Sequence, residues 1–171
     1  MHPSKIVLLR HAEEPNEPNH HNLSPEGWIR AKLLCPLLIF LYQHIAGVYA
    51  AGIGPDDQSK RKIQTIIPLI KYQLNEGNGG TAINTVRLSF ETKPTANKIL
   101  TNGLYHKKVV IVCWSHKKLP ELARELNAKL VPEKWPEDRY DVLWEIDGHT
   151  GKLKQIPQLL MPGDSLHGIG E

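Results

Sequence analysis

Four side chains in this sequence, Arg10, His11, Arg61 and His116, have the types and placement to handle a doubly charged anion. Arg10-His11 follows at once on the apolar run Lys5–Leu9, and Ser115-His116 follows the run Val109–Cys113 in the same way. Arg61 opens a stretch in which Ile63, Ile66, Ile67 and Ile70 recur at helical spacing. Arginine's planar fork suits phosphate oxygens better than a lysine ammonium does. The free N–H groups at a helix start favour an anion as well. If the apolar runs are strands of one open sheet, their carboxyl ends are where a ligand binds, and the four residues converge there. A phosphoryl group is the ligand such a cluster suits. Taken singly each residue is ordinary, since Arg-His after a strand is usually surface loop and His before a helix is usually a cap.

The elements that must position these residues alternate between short β-branched runs and helical patterns. Lys5–Leu9 reads as a buried strand. Ser24-Pro25 is a helix start, with serine as N-cap and proline in the first turn. From there Trp28, Ala31, Leu34, Cys35, Leu38 and Leu41 share a face, with a kink expected at Pro36. Gly47–Ala51 reads as a second strand. Gly52–Asp57 is a loop whose Asp57 is placed to cap the Ile63–Ile70 helix. Asn75–Gly80 is a flexible loop, Asn84–Leu88 a strand, and Ala96–Leu100 part of a short helix. Val109–Cys113 is the clearest strand. Leu119, Leu122, Ala123 and Leu126 then form a helical face with Pro120 near its start. Asp141–Ile146 is read as the final strand, followed by a Pro/Gly-rich tail from about Pro157, which either folds over the pocket or is a disordered terminus. Alternation of this kind implies an α/β fold with a mostly parallel sheet.

Composition narrows the class. The chain has 171 residues, 40% apolar and 23% charged, which excludes disorder and fibrous repeats and suits one domain spanning 1–171. Its two cysteines, Cys35 and Cys113, form no CxxC pair, so neither a disulfide scaffold nor a cysteine-rich zinc site is expected. The longest apolar run, Leu33–Tyr42, contains Pro36 and is far short of a bilayer span. Ile6–Leu9 is too brief for the core of a signal peptide, so a cytoplasmic protein without membrane partners is expected. The net charge is +3, with basic residues spread along the chain. The cluster Lys60-Arg61-Lys62 is read as a solvated helix face in preference to a nucleic-acid patch, because no aromatic stacking series accompanies it.

The residues also carry a family resemblance. Leu8-Leu9-Arg10-His11-Ala12-Glu13 resembles the Arg-His-Gly signature of the histidine phosphatase superfamily, whose fold is phosphoglycerate mutase-like. Leu23-Ser24-Pro25-Glu26-Gly27 resembles its Leu-Thr/Ser-x-x-Gly element, and Arg61-Lys62-Ile63-Gln64-Thr65 its Arg-Ala-x-Gln-Thr element. Val112-Cys113-Trp114-Ser115-His116 stands in the place of the second family histidine. Leu119–Ala123, Trp135-Pro136 and Asp141–Trp144 resemble a small phosphatase-type branch. The sequence departs from the pattern with Ala12 for glycine, Lys62 for alanine, Ala51 for a serine, and Lys117 for glycine, the last adding bulk and charge beside the pocket.

The resemblance implies a three-layer α/β/α fold and a phosphomonoester hydrolase that needs no metal or cofactor. In it His11 is the nucleophile, while Arg10, Arg61 and His116 surround the phosphoryl oxygens, with a bound dianion favouring protonated His116. A carboxylic acid protonates the leaving group; Glu91 is the candidate, with Glu13 and Glu14 as rivals. The implied substrate is a phosphorylated small molecule or a phosphoprotein. A mutase-like phosphotransferase and a non-catalytic phospho-ligand-binding module are the alternatives. His20-His21 are placed in the rim loop rather than on a metal, since no carboxylate-histidine pattern supports them. His44, His106, His149 and His167 are assigned to surface or structural roles, and Trp114 and Trp135 to packing.

Overall fold

The computed structural model describes residues 2–17, 20–76 and 83–170. Six strands form one sheet: β1 (Lys5–Arg10), β2 (Ile45–Ala50), β3 (Ile83–Asn84), β4 (Val109–Trp114), β5 (Val142–Asp147) and β6 (Leu153–Pro157). Four helices accompany them: α1 (Pro25–Leu41), α2 (Arg61–Asn75), α3 (Thr92–Thr101) and α4 (Leu119–Glu125). The strand order is β3-β2-β4-β1-β5-β6. The four strands from β3 to β1 run parallel, β5 adds antiparallel beside β1, and β6 adds antiparallel beside β5. The sheet is mostly parallel, as the alternation of patterns implies.

Both faces of the sheet are covered, which is why β1 and β4 are continuous apolar runs. Ile6 and Leu8 of β1, with Val110, Val112 and Trp114 of β4, pack against Ala96 and Ile99 of α3 and Leu119, Leu122 and Ala123 of α4. The alternate residues Val7, Leu9, Ile111 and Cys113 face Leu34, Cys35 and Leu38 of α1 and Ile66 and Leu69 of α2. The result is three layers, α/β/α. Trp114 is fully buried, and Trp135 packs on Trp144 with ring centroids 4.7 Å apart and the planes tilted by 47°, so both indoles contribute to packing.

Register places the chemistry. Arg10 lies opposite Trp114 and Ala50 opposite Cys113, so the chain leaves β1, β4 and β2 side by side at their carboxyl ends. Ser24 caps α1 by accepting from the Gly27 N–H at 3.0 Å, and α1 runs through Pro36. Gly27 is required because a Cβ there would run into the Glu13 carbonyl oxygen; this close approach seats the first turn of α1 on the loop after His11.

Several expectations are corrected. Asp57 does not cap α2, whose N-cap is Lys60 without a side-chain bond; its carboxylate instead holds Lys62 at 2.7 Å and Ser89 at 2.9 Å. The Lys60-Arg61-Lys62 cluster is no solvated face, since Lys62 is only 2% exposed and Arg61 is ion-paired. Of the Asn84–Leu88 segment only Asn84, with Ile83 before it, pairs with β2; the Leu88 N–H instead bonds Glu91 at the head of α3, and the Ser89 carbonyl accepts from the Trp114 indole of β4. Asp141–Ile146 is not the last strand, since β6 returns antiparallel beside β5. The glycines of the Asn75–Gly80 loop lie outside the described residues. The tail beyond β6 is ordered by specific bonds: buried Arg30 pairs with Asp164 at 2.7 Å, and Gln155 bonds Ile169. No helix among the described residues is long and apolar enough to cross a membrane.

Candidate active site

His11 is 5% exposed, just beyond β1. Its Nδ1–H donates to the Ala12 carbonyl at 2.7 Å. A carbonyl can only accept, so in the neutral ring the lone pair resides on Nε2. Burial pushes the His11 pKa down to about 3, and the charges of Arg10, Arg61 and Lys62 push the same way against the Ala12 bond. The imidazole is therefore neutral at physiological pH with one nitrogen fixed as donor, the state a nitrogen nucleophile needs.

The loop carrying His11 is held from α2. Thr65 Oγ1 accepts from the Ala12 N–H at 2.9 Å and donates to the Arg61 carbonyl at 2.7 Å. Gln64 accepts from the Leu23 N–H at 2.9 Å and donates to Asn22 at 2.9 Å. Thr65 and Gln64 are thus positioning residues, quoted in the motif from sequence but given no role there. Nothing in a lone Gln-Thr pair says which loop it reaches.

Arg10 is buried, and burial lowers its pKa while Tyr140 and Glu14 oppose the shift. Its Nη1 donates to the carbonyls of Pro136 at 3.3 Å, Glu137, and Arg139 at 3.4 Å. Its Nη2 reaches Glu14 Oε1 at 3.3 Å and the Tyr140 hydroxyl at 3.1 Å, and its Cζ lies 3.9 Å from the Tyr140 ring centroid. Arg61 Nη2 meets the other oxygen of Glu14 at 2.7 Å, and its Nη1 donates to the His20 carbonyl at 2.9 Å. One carboxylate therefore bridges the two arginines. Tyr140 stands 6.1 Å from His11 between ring centroids. Neither Glu14 nor Tyr140 was assigned to the arginines from sequence, because Tyr140 arrives from a distant loop.

His116 follows β4, with Nε2 at 3.8 Å from a Glu137 oxygen. Burial and the charges of Arg10 and Lys117 lower its pKa, so the protein alone favours the neutral ring. Protonation would have to come with a bound anion. Lys117 is 73% exposed and 4.0 Å from Glu137, and it lines the cleft beside His116. Among the described residues, the Nε of Arg10, the Nε of Arg61 and the Nε2 of His116 are buried with no hydrogen-bond partner. Buried polar groups are normally satisfied. Three unpaired nitrogens from the ends of β1 and β4 and the start of α2 are what a tetrahedral oxyanion would pair with.

The side-chain hydrogen bonds of Glu91 stay within its own segment. It heads α3, and its carboxylate accepts from the Leu88 N–H at 2.8 Å and from Arg87 at 2.9 Å, bonds that hold its pKa below the ordinary carboxyl range. Glu13 is taken by Arg30 at 2.7 Å. His20 and His21 line a cavity of about 520 Å³ beside Glu14 and Arg61. No group of three or more His, Cys, Asp or Glu among the described residues is placed to hold a metal ion.

The sequence matches no family model and no curated protein. Solved structures do match. SixA from Agrobacterium tumefaciens, provisionally assigned as a phosphohistidine phosphatase, superposes with a TM-score of 0.56 at 17% identity, over 86% of this chain and 93% of that one. The chain has the histidine phosphatase fold. A protein histidine phosphatase SixA complexed with tungstate gives a TM-score of 0.51 at 12% identity, over 90% and 97% of the two chains. The provisionally assigned SixA from Nakamurella multipartitia gives 0.53 at 15% identity, over 90% and 95%. At such identities the likeness establishes the histidine phosphatase fold and leaves chemistry to the residues.

Proposed function

We propose that the protein is a phosphomonoester hydrolase acting through a phosphohistidine on His11. The observation that carries this reading is the His11 imidazole, buried, neutral, and donating from Nδ1 to the Ala12 carbonyl. Nε2 attacks phosphorus, a P–N bond forms, and the bond to the leaving oxygen breaks. Water then attacks phosphorus, a P–O bond forms, and the P–N bond breaks with its electron pair returning to Nε2. Inorganic phosphate leaves carrying the water's oxygen, the displaced proton passing to solvent or phosphate. Arg10, Arg61 and His116 supply the buried donors that stabilise charge on the equatorial oxygens, which is where most catalysis of phosphoryl transfer arises. These arginines supply positive charge without a metal.

Glu91 is the proposed proton donor to the leaving group. In that role it would first have to leave the Leu88 N–H and Arg87, whose bonds favour the ionised carboxylate. For substrates, a phosphorylated protein side chain is proposed; phosphohistidine is included as the phosphoramidate counterpart, in which the bond broken is P–N and the leaving imidazole nitrogen keeps the electron pair. The naming of the structurally similar proteins as phosphohistidine phosphatases supports that choice. One 171-residue domain is proposed to be the catalytic unit.

Hydrolysis of p-nitrophenyl phosphate by the purified protein in excess EDTA tests the reading. Turnover, with acid-labile phosphate trapped on the wild type and both lost in His11→Ala, is expected. Activity retained in a folded His11→Ala protein sinks the mechanism. Tight binding of a phosphate ester without turnover would instead favour the binding-module alternative, for which the commitment of Arg10 Nη1 to three backbone carbonyls speaks.

A further inference from the structure

The two acidic residues after His11 have different fates. Glu13 is fixed by Arg30, itself only 4% exposed and held from its other side by Asp164. Glu14 is held instead by the two arginines of the candidate site. Its side chain is 33% exposed, and its oxygens meet Arg61 Nη2 at 2.7 Å, Arg10 Nη2 at 3.3 Å and the Tyr140 hydroxyl at 3.4 Å. An ionised carboxylate on two guanidinium groups makes the contacts two oxygens of a phosphoryl group would make.

Charge in the pocket follows the same pattern. Two arginines face one carboxylate, His11 is neutral, and the surroundings of His116 favour its neutral form. The resting pocket thus presents roughly the charge of a single cation to an incoming dianion. The cavity lined by Glu14, His20 and His21 adjoins it and gives the displaced side chain somewhere to go.

We propose that Glu14 sets the affinity threshold of this pocket by occupying it, as an internal competitor that a phosphoryl ligand must displace from Arg61 and Arg10. The inference rests on the reading that Arg10 and Arg61 form a phosphoryl site. Glu14 lowers the affinity of every phosphoryl ligand by the same factor. Free inorganic phosphate, which has no other contacts to offer, falls below useful affinity first. A phosphorylated protein surface retains its remaining contacts, including those in the cleft of about 490 Å³ beside His116 and Trp135.

A purely supporting role for Glu14 has the opposite consequence, since removing a support for two arginines weakens anion binding. The sign of the effect therefore decides. Calorimetric titration of the full chain with inorganic phosphate is compared for wild type, Glu14→Gln and Glu14→Ala at one ionic strength. Release of one charged hydrogen bond before ligand binding corresponds to about a tenfold loss of apparent affinity. Glu14→Ala is expected to bind phosphate about tenfold tighter than wild type, with Glu14→Gln between them because its amide oxygen still accepts from Arg61 without the charge. The isosteric Gln variant keeps the test alive if the Ala variant does not fold. Unchanged or weaker affinity in the folded variants, or no phosphate binding by any of the three, overturns the proposal. Wild-type hydrolysis of p-nitrophenyl phosphate is measured alongside. Hydrolysis with no gain in the Glu14 variants would defeat this inference and leave the hydrolase reading standing. A gain in phosphate affinity without hydrolysis would do the reverse.

Discussion

Replacing His11 by asparagine should change how stability depends on acidity. An unfolded chain exposes this histidine, which titrates at the ordinary value of 6.5, whereas the fold holds it down to about 3. Between those values the unfolded chain binds a proton that the native protein does not. Stability therefore rises with pH through this window, by about 1.36 kcal/mol per pH unit from this one residue. At about pH 4.5, two units below the unfolded value, the wild type has lost about 2.7 kcal/mol relative to neutral solution through His11 alone. His11→Asn removes the titration and its slope. Carboxyl groups held low in the fold, such as Asp57 beside Lys62 and Asp164 beside Arg30, stabilise the protein above the ordinary carboxyl range and cease to as the pH falls through their lowered values. They do so in both proteins and cancel in the difference. Urea unfolding from about pH 7.5 to about pH 4.5 gives the two stability curves. Their difference should change by about 1.4 kcal/mol per unit below pH 6.5, with the variant gaining. Parallel curves would show that His11 titrates normally, and the argument for a permanently neutral nucleophile would fall with them.

Two further outcomes concern the support of the site. Thr65→Val keeps the shape but leaves the buried Ala12 N–H without its acceptor, so a loss of about 1–3 kcal/mol is expected in urea unfolding, with turnover falling as the His11 loop loosens. A wild-type turnover number in that variant would deny Thr65 its positioning role. Glu91→Gln should leave hydrolysis of p-nitrophenyl phosphate nearly untouched, because that phenol leaves without a proton, while an alkyl phosphate slows by about 10²–10⁴ if Glu91 is the donor. Equal effects on both esters would move the role to a carboxyl beside His11.

Much of the scaffold was legible in the chain. Ile6–Leu9 and Val109–Cys113 are unbroken apolar runs because their strands are buried on both faces. Ser24-Pro25 announced α1 because capping is a local affair, settled within one turn. The Asp141–Ile146 segment was read correctly as a strand, but β6 was missed: Leu153–Pro157 is half-buried and mixed in polarity, with proline at its end. Asp57 was misread as a cap for a similar reason. Its partner Lys62 is set by tertiary packing, where a buried ammonium must find a carboxylate.

The sequence by itself determined which residue types stand after β1, after β4 and at the start of α2, and so that two arginines and two histidines can meet an anion. Only the tertiary structure decided what each of them touches. Arg10 is held by the carbonyls of Pro136, Glu137 and Arg139, more than a hundred residues away in the chain. Glu14 lies between Arg10 and Arg61 because strand register and the seating of α2 bring the two guanidinium groups within reach of one side chain. Hydrogen bonds act over about 3 Å, whereas helical or strand periodicity reports only which way a side chain faces. A pattern in the chain can thus name the members of a site, and packing alone fixes their partners and their charge.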